Sequence, residues 1–232
     1  VKLSESRVEG YRNFATKLWN ATRFCEMNEC RQPAGFDPAD NTATLNRWIV
    51  SEAVLAGRAV AKGIEEYRFN DAATAAYEFA WGTFCDWYVE LAKPCLADDA
   101  DDGLRRETRA TAAWVLAEIL RLLHPLMPFI TEELWQGFGP SGAGLLIREA
   151  WPTRDDALID AGARDEMGWA VRLISAVRSV RSEMNVPASA TLALQVTGAS
   201  ADTVRRIEVH GAAIRTLARV DPISVQAGDP VT

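Results

Sequence analysis

The sequence is poor in residues that bind metal ions. It holds two histidines and four cysteines, and no two cysteines have the CxxC spacing of a structural zinc site. A chain of 232 residues can bury a core without disulfides, so we expect reduced thiols, no bound metal and a cytoplasmic protein. Zinc-binding modules and disulfide-rich secreted domains are therefore excluded.

Long apolar runs and catalytic motifs are also missing. No run approaches the ~20 apolar residues that span a bilayer, and no secretory signal opens the chain, so we expect no membrane partner. There is no glycine-rich phosphate loop and no GxSxG turn, and neither His124 nor His210 has an evident catalytic partner. We predict no catalytic residue, no metal site and no cofactor in this chain. It begins at Val1 without a methionine, which favours a piece of a longer protein.

Positive charge is scarce and unevenly distributed. The chain has 25 Lys and Arg against 32 Asp and Glu, which gives a net charge of −7. An acidic protein does not bind nucleic acid through its overall charge, so any such binding needs a local basic patch. Residues 1–31 carry six basic side chains against four acidic ones, so the start of the chain is mildly basic.

Hydrophobic periodicity predicts a mainly α protein. Apolar residues at helical spacing, separated by breaker loops, predict helices over residues 6–31, 42–67, 71–92, 103–123 and 129–136. Asn70 is predicted to cap the third of these helices and Pro94 to end it, and its aromatic residues, Tyr77 and Trp81 among them, are assigned mostly to the core. Such helices joined by short loops are typical of an antiparallel helix bundle.

A glycine-rich stretch at residues 137–144 marks a change of composition. We predict that residues 1–140 form the helix bundle and that residues 141–232 form a small α/β domain. In the second part, residues 145–147 suggest a short extended segment, and residues 163–184 and 201–218 suggest helices. The alternating patterns of residues 191–196 and 222–226 predict two strands.

The first predicted helix has two different faces. At about 100° per residue, one apolar stripe suits the core and comprises Tyr11, Phe14, Leu18, Ala21 and Cys25. A second stripe joins amide, ammonium and aromatic groups of Asn13, Lys17, Asn20 and Phe24, with Arg12, Trp19 and Arg23 further round. Lysine for phosphate, asparagine for base edges and a ring for stacking suit a single-stranded nucleic acid. The alternative is a solvated face with one isolated phenylalanine, and spacing alone favours it.

Several longer blocks of sequence resemble one protein family. They are GYRNFATKLWNATRF at residues 10–24, FNDAA at 69–73, WGTFCDWY at 81–88, LHPLMPFITEELW at 123–135 and SVRSEMNVP at 179–187. The residues in these blocks and their order resemble the part of the valyl-tRNA synthetases that directly follows the catalytic domain. These enzymes are class I aminoacyl-tRNA synthetases. Residues 2–6, KLSES, resemble the ATP-holding KMSKS loop of that class. Glu5 replaces its second lysine, so we interpret these residues as a helix cap.

The resemblance implies an anticodon-binding helix bundle followed by a small α/β domain. It implies that the partner is the anticodon stem-loop of tRNA(Val), and that the catalytic domain of the same chain is a second partner. In the family a coiled coil follows this part, and it is absent from the present sequence. ATP with magnesium would serve only the full-length enzyme, so we expect this piece alone to be a catalytically inactive monomer.

The resemblance also implies which residues meet the RNA. In the family the first bundle helix contacts the anticodon, so we predict that Phe24 stacks on a base and that Lys17 contacts a phosphate or a base edge. The predicted supporting residues are Arg12, Asn13, Asn20 and Arg23, whereas Phe14 and Trp19 are assigned to the core. The alternative function is a helical protein–protein interaction module, which would need a contiguous exposed apolar patch instead of an open positive face.

Overall fold

The computed structural model describes residues 4–140 and 142–227, without the side chains of residues 6, 7 and 227. Lys2 and Leu3 of the KLSES segment therefore lie outside the described residues. Most of the described chain is helical, which confirms the predicted fold class. The elements are α1 Glu5–Met27, α2 Thr44–Glu65, α3 Phe69–Tyr77, a π-helical segment Glu78–Tyr88, α4 Val89–Leu96, α5 Asp102–Leu123, α6 Pro128–Phe138, α7 Ala161–Glu183, β1 Leu192–Ala199, α8 Ala201–Ala218 and β2 Val220–Ala227.

The chain separates into two compact units, Val1–Ala163 and Arg164–Thr232. The glycine-rich stretch that was predicted to end the bundle lies inside the first unit, because the residues after it are hydrogen-bonded to α5 and α6. Trp135 Nε1 donates to the Gly144 carbonyl at 3.0 Å, and the Leu146 amide donates to the Glu132 carboxylate at 2.9 Å. Arg154 Nε donates to the Glu118 carboxylate at 2.9 Å.

Helix α5 lies at the centre of the first unit. It packs against α1, α2, α3, α4 and α6, and its residues from Ala110 to Leu120 are buried without interruption. This includes Glu118, whose charge is compensated by Arg121 at 2.8 Å as well as by Arg154. The unbroken burial explains why the apolar positions of α5 extend all round the helix instead of forming one stripe.

The predicted third helix is divided into three segments, and its predicted ends were wrong. Helix α3 begins at Phe69 after Arg68, so Asn70 lies inside the first turn and is not the cap. A π-helical segment follows, and α4 then continues past Pro94 to Leu96. A π-helix bonds i to i+5, so it shifts the faces of the helix in a way that a 3.6-residue pattern does not predict.

Two other local predictions were also wrong. Helix α1 ends at Met27 and not near Arg31, because Glu29 adopts a left-handed conformation with φ 55°. The Cys30 amide donates to the Cys25 carbonyl at 2.8 Å and the Glu29 amide to the Glu26 carbonyl at 3.0 Å, which is a Schellman cap. Residues Leu146–Arg148 form a 3₁₀ turn instead of an extended segment, because the Glu132 carboxylate accepts from consecutive amides there.

The second unit is a small α/β arrangement, as predicted. Strands β1 and β2 pair in parallel, with Leu194 opposite Ile223 and Val196 opposite Val225, and α8 forms the crossover between them. Ile207 and Ile214 of α8 are buried. Among the described residues of the whole chain, no helix is both long and apolar enough to cross a membrane.

Candidate nucleic-acid interface

Helix α1 buries the apolar stripe that the sequence predicted, with the exception of Tyr11. Phe14, Leu18, Ala21 and Cys25 are buried, which confirms their assignment to the core. Tyr11 is 67% exposed, because residues 8–13 at the start of α1 are all exposed. Trp19 is 43% exposed and its assignment to the core was wrong, since it lies about 100° round the helix from Leu18, away from the bundle.

The six residues predicted to meet RNA all reach the surface of α1. Arg12, Asn13, Asn20 and Arg23 are exposed, whereas Lys17 and Phe24 are half-buried. The Phe24 ring is therefore only partly open to solvent. Asn13, Lys17, Asn20 and Phe24 follow one line along the helix, and Arg12 and Arg23 lie roughly a quarter turn away from that line. The arrangement brings amide, cation and ring groups onto one continuous surface.

Three cations of α1 have described side chains, Arg12, Lys17 and Arg23, and two of them already have acidic partners. Arg12 pairs with Glu9 of the preceding turn at 3.1 Å, and both side chains are largely exposed. Lys17 forms an ion pair with Asp86 of the π-helical segment, and its ammonium lies 4.2 Å from the centre of the Trp81 ring. The positive face of α1 is therefore less positive than its sequence suggests, and an RNA phosphate would have to compete for Lys17.

Three aromatic rings form a cluster beside Lys17. The buried Phe14 ring lies 4.9 Å from Tyr77 and 6.1 Å from Trp81, and Tyr77 stacks on Trp81 at 5.6 Å with an interplanar angle of 26°. Trp81 is half-buried and Tyr77 is 40% exposed, so Tyr77 is one of the aromatic residues of this helix that lie outside the core. The Cβ position of Gly82, next to Trp81, has no neighbour within 4 Å, so the surface is open there.

Sequence reasoning missed the contribution of Tyr77, Trp81 and Asp86 to this surface. The four-residue spacing of Tyr77 and Trp81 indicates that they share a helix face, but the same spacing is usual for buried residues. Asp86 is one of many acidic residues in the chain. Its position opposite Lys17 depends on how α1 packs on the π-helical segment, and no local signal in the sequence reports that packing.

The thiols near this surface are not suited to nucleophilic chemistry. Cys25 and Cys30 are fully buried, and a hydrogen bond between them, together with burial, raises the pKa of Cys25 well above its usual value. Burial raises the pKa of Cys85 to about 12 despite the nearby Lys17. Among residues 4–140 and 142–227, no three His, Cys, Asp or Glu side chains are grouped so that they could hold a metal ion.

Comparison with known proteins gives the family. A family model for the anticodon-binding domain of tRNA ligases matches residues 46–197, which are 152 of the 232 residues. The chain belongs to this family. The matched range runs from α2 into β1 and so includes Tyr77, Trp81 and Asp86. Helix α1 precedes the matched range, so the six RNA contacts predicted on α1 stay predictions.

Individual relatives of this anticodon-binding domain are named valine–tRNA ligases. The ligases of Caulobacter vibrioides and Rhizobium meliloti are each 50% identical over 226 residues, which covers 96% of this chain. The ligase of Rhodopseudomonas palustris is 47% identical over 262 residues, which covers 99% of the chain. The chain spans about a quarter of the length of these relatives, between 24% and 27%. These findings confirm the resemblance to valyl-tRNA synthetases.

Proposed function

We propose that this chain is the anticodon-recognition module of a valine–tRNA ligase and that it binds the anticodon stem-loop of tRNA(Val). The observation that carries the proposal is the membership of the chain in the anticodon-binding family, together with relatives at 50% identity that carry the name valine–tRNA ligase. The mixed amide, cation and aromatic surface of α1 supports it, because single-stranded RNA is bound through such groups.

Each group on α1 has a role that its position favours. The half-buried Phe24 ring is anchored on one side and can stack on a base with the other. Asn13 and Asn20 are exposed on the same stripe, about two turns apart, and suit hydrogen bonds to base edges. Arg12, Lys17 and Arg23 suit phosphates. The bases give specificity and the phosphates give affinity, so the two sets of residues should have separable effects.

Direct binding to a labelled stem-loop tests the proposed function. Fluorescence anisotropy would compare the anticodon stem-loop of tRNA(Val) with the same stem-loop carrying an altered anticodon. We expect the cognate loop to bind more tightly to the purified chain. Equal binding of both loops, or no binding of either, would contradict the proposal.

The salt dependence of binding should be that of a local contact set. The chain has a net charge of −7, so its bulk charge repels RNA and the attraction has to come from local cations such as those of α1. Each phosphate contact contributes about 0.7 to the slope of log K against log salt for single strands. We expect weak binding, with a log–log slope that corresponds to roughly two to three phosphate contacts. A slope near zero would favour a protein-interaction module instead.

The proposal extends to the longer enzyme of which this chain would be one part. We propose that the enzyme is a cytoplasmic ligase that joins valine to tRNA(Val) with ATP and magnesium, and that the present chain contributes anticodon binding as a monomer. The chain itself is proposed to need no cofactor and to activate no valine. Valine-dependent exchange of pyrophosphate into ATP by the purified chain would refute this.

One surface supports contact with a protein partner. Leu126 and Phe129, at the start of α6, are 42% and 91% exposed, and Leu145 and Ile147, on the loop that Glu132 holds, are 48% and 71% exposed. Because the relatives are about four times longer than this chain, we propose that the catalytic part of the same ligase covers these side chains. Binding of the isolated chain to that part, lost in Phe129→Asp, would test the assignment.

A further inference from the structure

Lys17 connects the predicted RNA-binding stripe of α1 to the aromatic cluster of Phe14, Tyr77 and Trp81. Its ammonium lies 4.2 Å from the centre of the Trp81 ring and pairs with Asp86. The Lys17 side chain is 27% exposed and that of Asp86 is 44% exposed, so both groups remain within reach of a ligand. Trp81 contacts both the Lys17 ammonium and, at 5.6 Å, the exposed Tyr77 ring. A cation and an exposed ring that share one neighbour suit the two parts of a nucleotide, its phosphate and its base.

We propose that Tyr77 and Lys17 together bind one unpaired nucleotide, its base stacked on the Tyr77 ring and its phosphate on the Lys17 ammonium, with Asp86 as the counter-ion that the phosphate displaces. The proposal rests on the proposed RNA-binding function. The RNA-binding surface then includes α3 and the π-helical segment as well as α1. Tyr77 contacts the nucleotide, whereas Asp86 acts through Lys17.

The structure favours Tyr77 as the stacking group of the cluster. Phe14 is buried and Trp81 is half-buried beneath Lys17, whereas Tyr77 keeps 40% of its surface exposed. Trp81 and Phe14 support the Tyr77 ring from within at 5.6 Å and 4.9 Å, which limits its motion. A base on the outer face of Tyr77 would extend an existing stack of rings, and stacking of this kind tolerates any base.

Asp86 lowers the affinity of Lys17 for a phosphate. A lysine that takes a phosphate releases condensed counterions from the RNA whether or not it was paired beforehand. Lys17 has to leave Asp86 first, and breaking this partly exposed ion pair costs part of the free energy of binding. In the wild type Lys17 should therefore add less affinity than an unpaired lysine, although it contacts a phosphate.

Neutralising Asp86 tests the phosphate half of the proposal. In Asp86→Asn, Lys17 is no longer paired, so the cognate stem-loop should bind about 1.5- to 5-fold more tightly, the range expected for an exposed ion pair. The salt slope should stay nearly the same, because the number of phosphate contacts does not change. The matched control is Glu90→Gln, which breaks the Glu90–Lys93 ion pair one turn further on and changes the net charge equally. The control should leave the affinity nearly unchanged.

Removing the exposed ring tests the base half. Tyr77→Ala should weaken binding of the stem-loop roughly 5- to 150-fold, and Tyr77→Phe, which keeps the ring, should bind as the wild type does. Phe129→Ala is the control for loss of an exposed ring elsewhere on the first unit and should bind unchanged. If Tyr77→Ala does not fold, Tyr77→Leu also removes the ring and keeps more of the side-chain volume.

The outcomes separate this inference from the function on which it rests. If the wild type shows no preference for the cognate loop, the proposed function fails. If the wild type binds but Tyr77→Ala binds equally well, the nucleotide site is refuted and the α1 stripe stands. If Asp86→Asn binds more weakly, Asp86 accepts a hydrogen bond from the RNA, and its role as a displaced counter-ion is refuted.

Discussion

Phe14 and Phe24 are the same residue type on one helix in two different environments. Phe14 is 4% exposed and supports Tyr77 and Trp81, whereas Phe24 is half-buried at the far end of the amide stripe. The two residues therefore allow folding and RNA binding to be separated by single substitutions.

Phe14→Ala should lower the free energy of unfolding by about 3–5 kcal/mol, because it leaves a cavity under two aromatic rings. Phe24→Ala should cost less than Phe14→Ala, because part of the ring is already in solvent, and it should weaken stem-loop binding roughly 5- to 150-fold. Urea denaturation and anisotropy titration measure the two effects. An exchange of the effects between the two variants would show that the faces of α1 are assigned to the wrong functions.

Glu107 of α5 holds the start of α2. Its carboxylate accepts from the Thr42 amide at 3.0 Å, the Ala43 amide at 2.9 Å and Asn46 Nδ2 at 2.9 Å. Partial burial alone would raise the pKa of Glu107, but these hydrogen bonds outweigh it and hold the pKa below its usual value. The ionised carboxylate is therefore favoured by the folded state.

The stability that Glu107 contributes should depend on pH in a defined direction. Because its folded pKa lies below the unfolded value of about 4.3, the contribution is complete above that value and is lost as pH falls through the folded pKa. Glu107→Gln should be less stable than the wild type at pH 7, and the difference should shrink below about pH 4. Denaturant midpoints across pH 3–7 measure it. A difference that stays constant with pH would contradict this account of α2.

At the scale of elements, the contact between α2 and α3 depends on a glycine. A Cβ on Gly63 would lie 2.8 Å from the Ala72 amide nitrogen and 2.9 Å from the Ala72 Cβ, so the two helices approach too closely for any side chain. On the same helix, a Cβ on Gly57 would meet only Leu122, at 3.9 Å. Both glycines lie in α2, so they differ in their packing but not in their helix.

Gly63→Ala should lower the free energy of unfolding by about 1–3 kcal/mol through overpacking, despite the better helix propensity of alanine. The control, Gly57→Ala, should raise it by up to about 1 kcal/mol, because propensity acts there without a clash. Thermal melts of both variants measure the effects. Equal stabilisation by the two substitutions would mean that α2 and α3 do not pack as described.

The elements also show what periodicity can and cannot predict. Helices α2, α5, α6, α7 and α8 were predicted nearly as observed, because each keeps one hydrogen-bonding pattern from end to end. Residues 69–96 were predicted poorly, because the π-helical segment changes the period within one continuous run. The turn at Leu146 depends on Glu132, fourteen residues away, so no local pattern could indicate it.

At the scale of the whole molecule, a protein with a net charge of −7 is proposed to bind RNA, which is a polyanion. This is possible only if the contacts are local, and the cations of α1 are the local set. The part of the candidate site on α1 was proposed from the sequence, because the family resemblance singled out a stripe whose residue types suit RNA although its spacing alone favoured a solvated face. Asp86 and Tyr77 reach the same surface from other elements, so only the packing of α1 on the π-helical segment could reveal them.

The central claim is that α1 reads the anticodon through base edges. It is tested most directly by the ratio of dissociation constants for the altered and cognate stem-loops, measured in the wild type and in Asn13→Ala/Asn20→Ala. Both asparagines are exposed, so the double variant should keep its fold, and its phosphate contacts remain. Each base-edge contact is worth roughly 1–3 kcal/mol of discrimination, so the ratio should fall toward one in the double variant. A ratio equal to that of the wild type would contradict the claim.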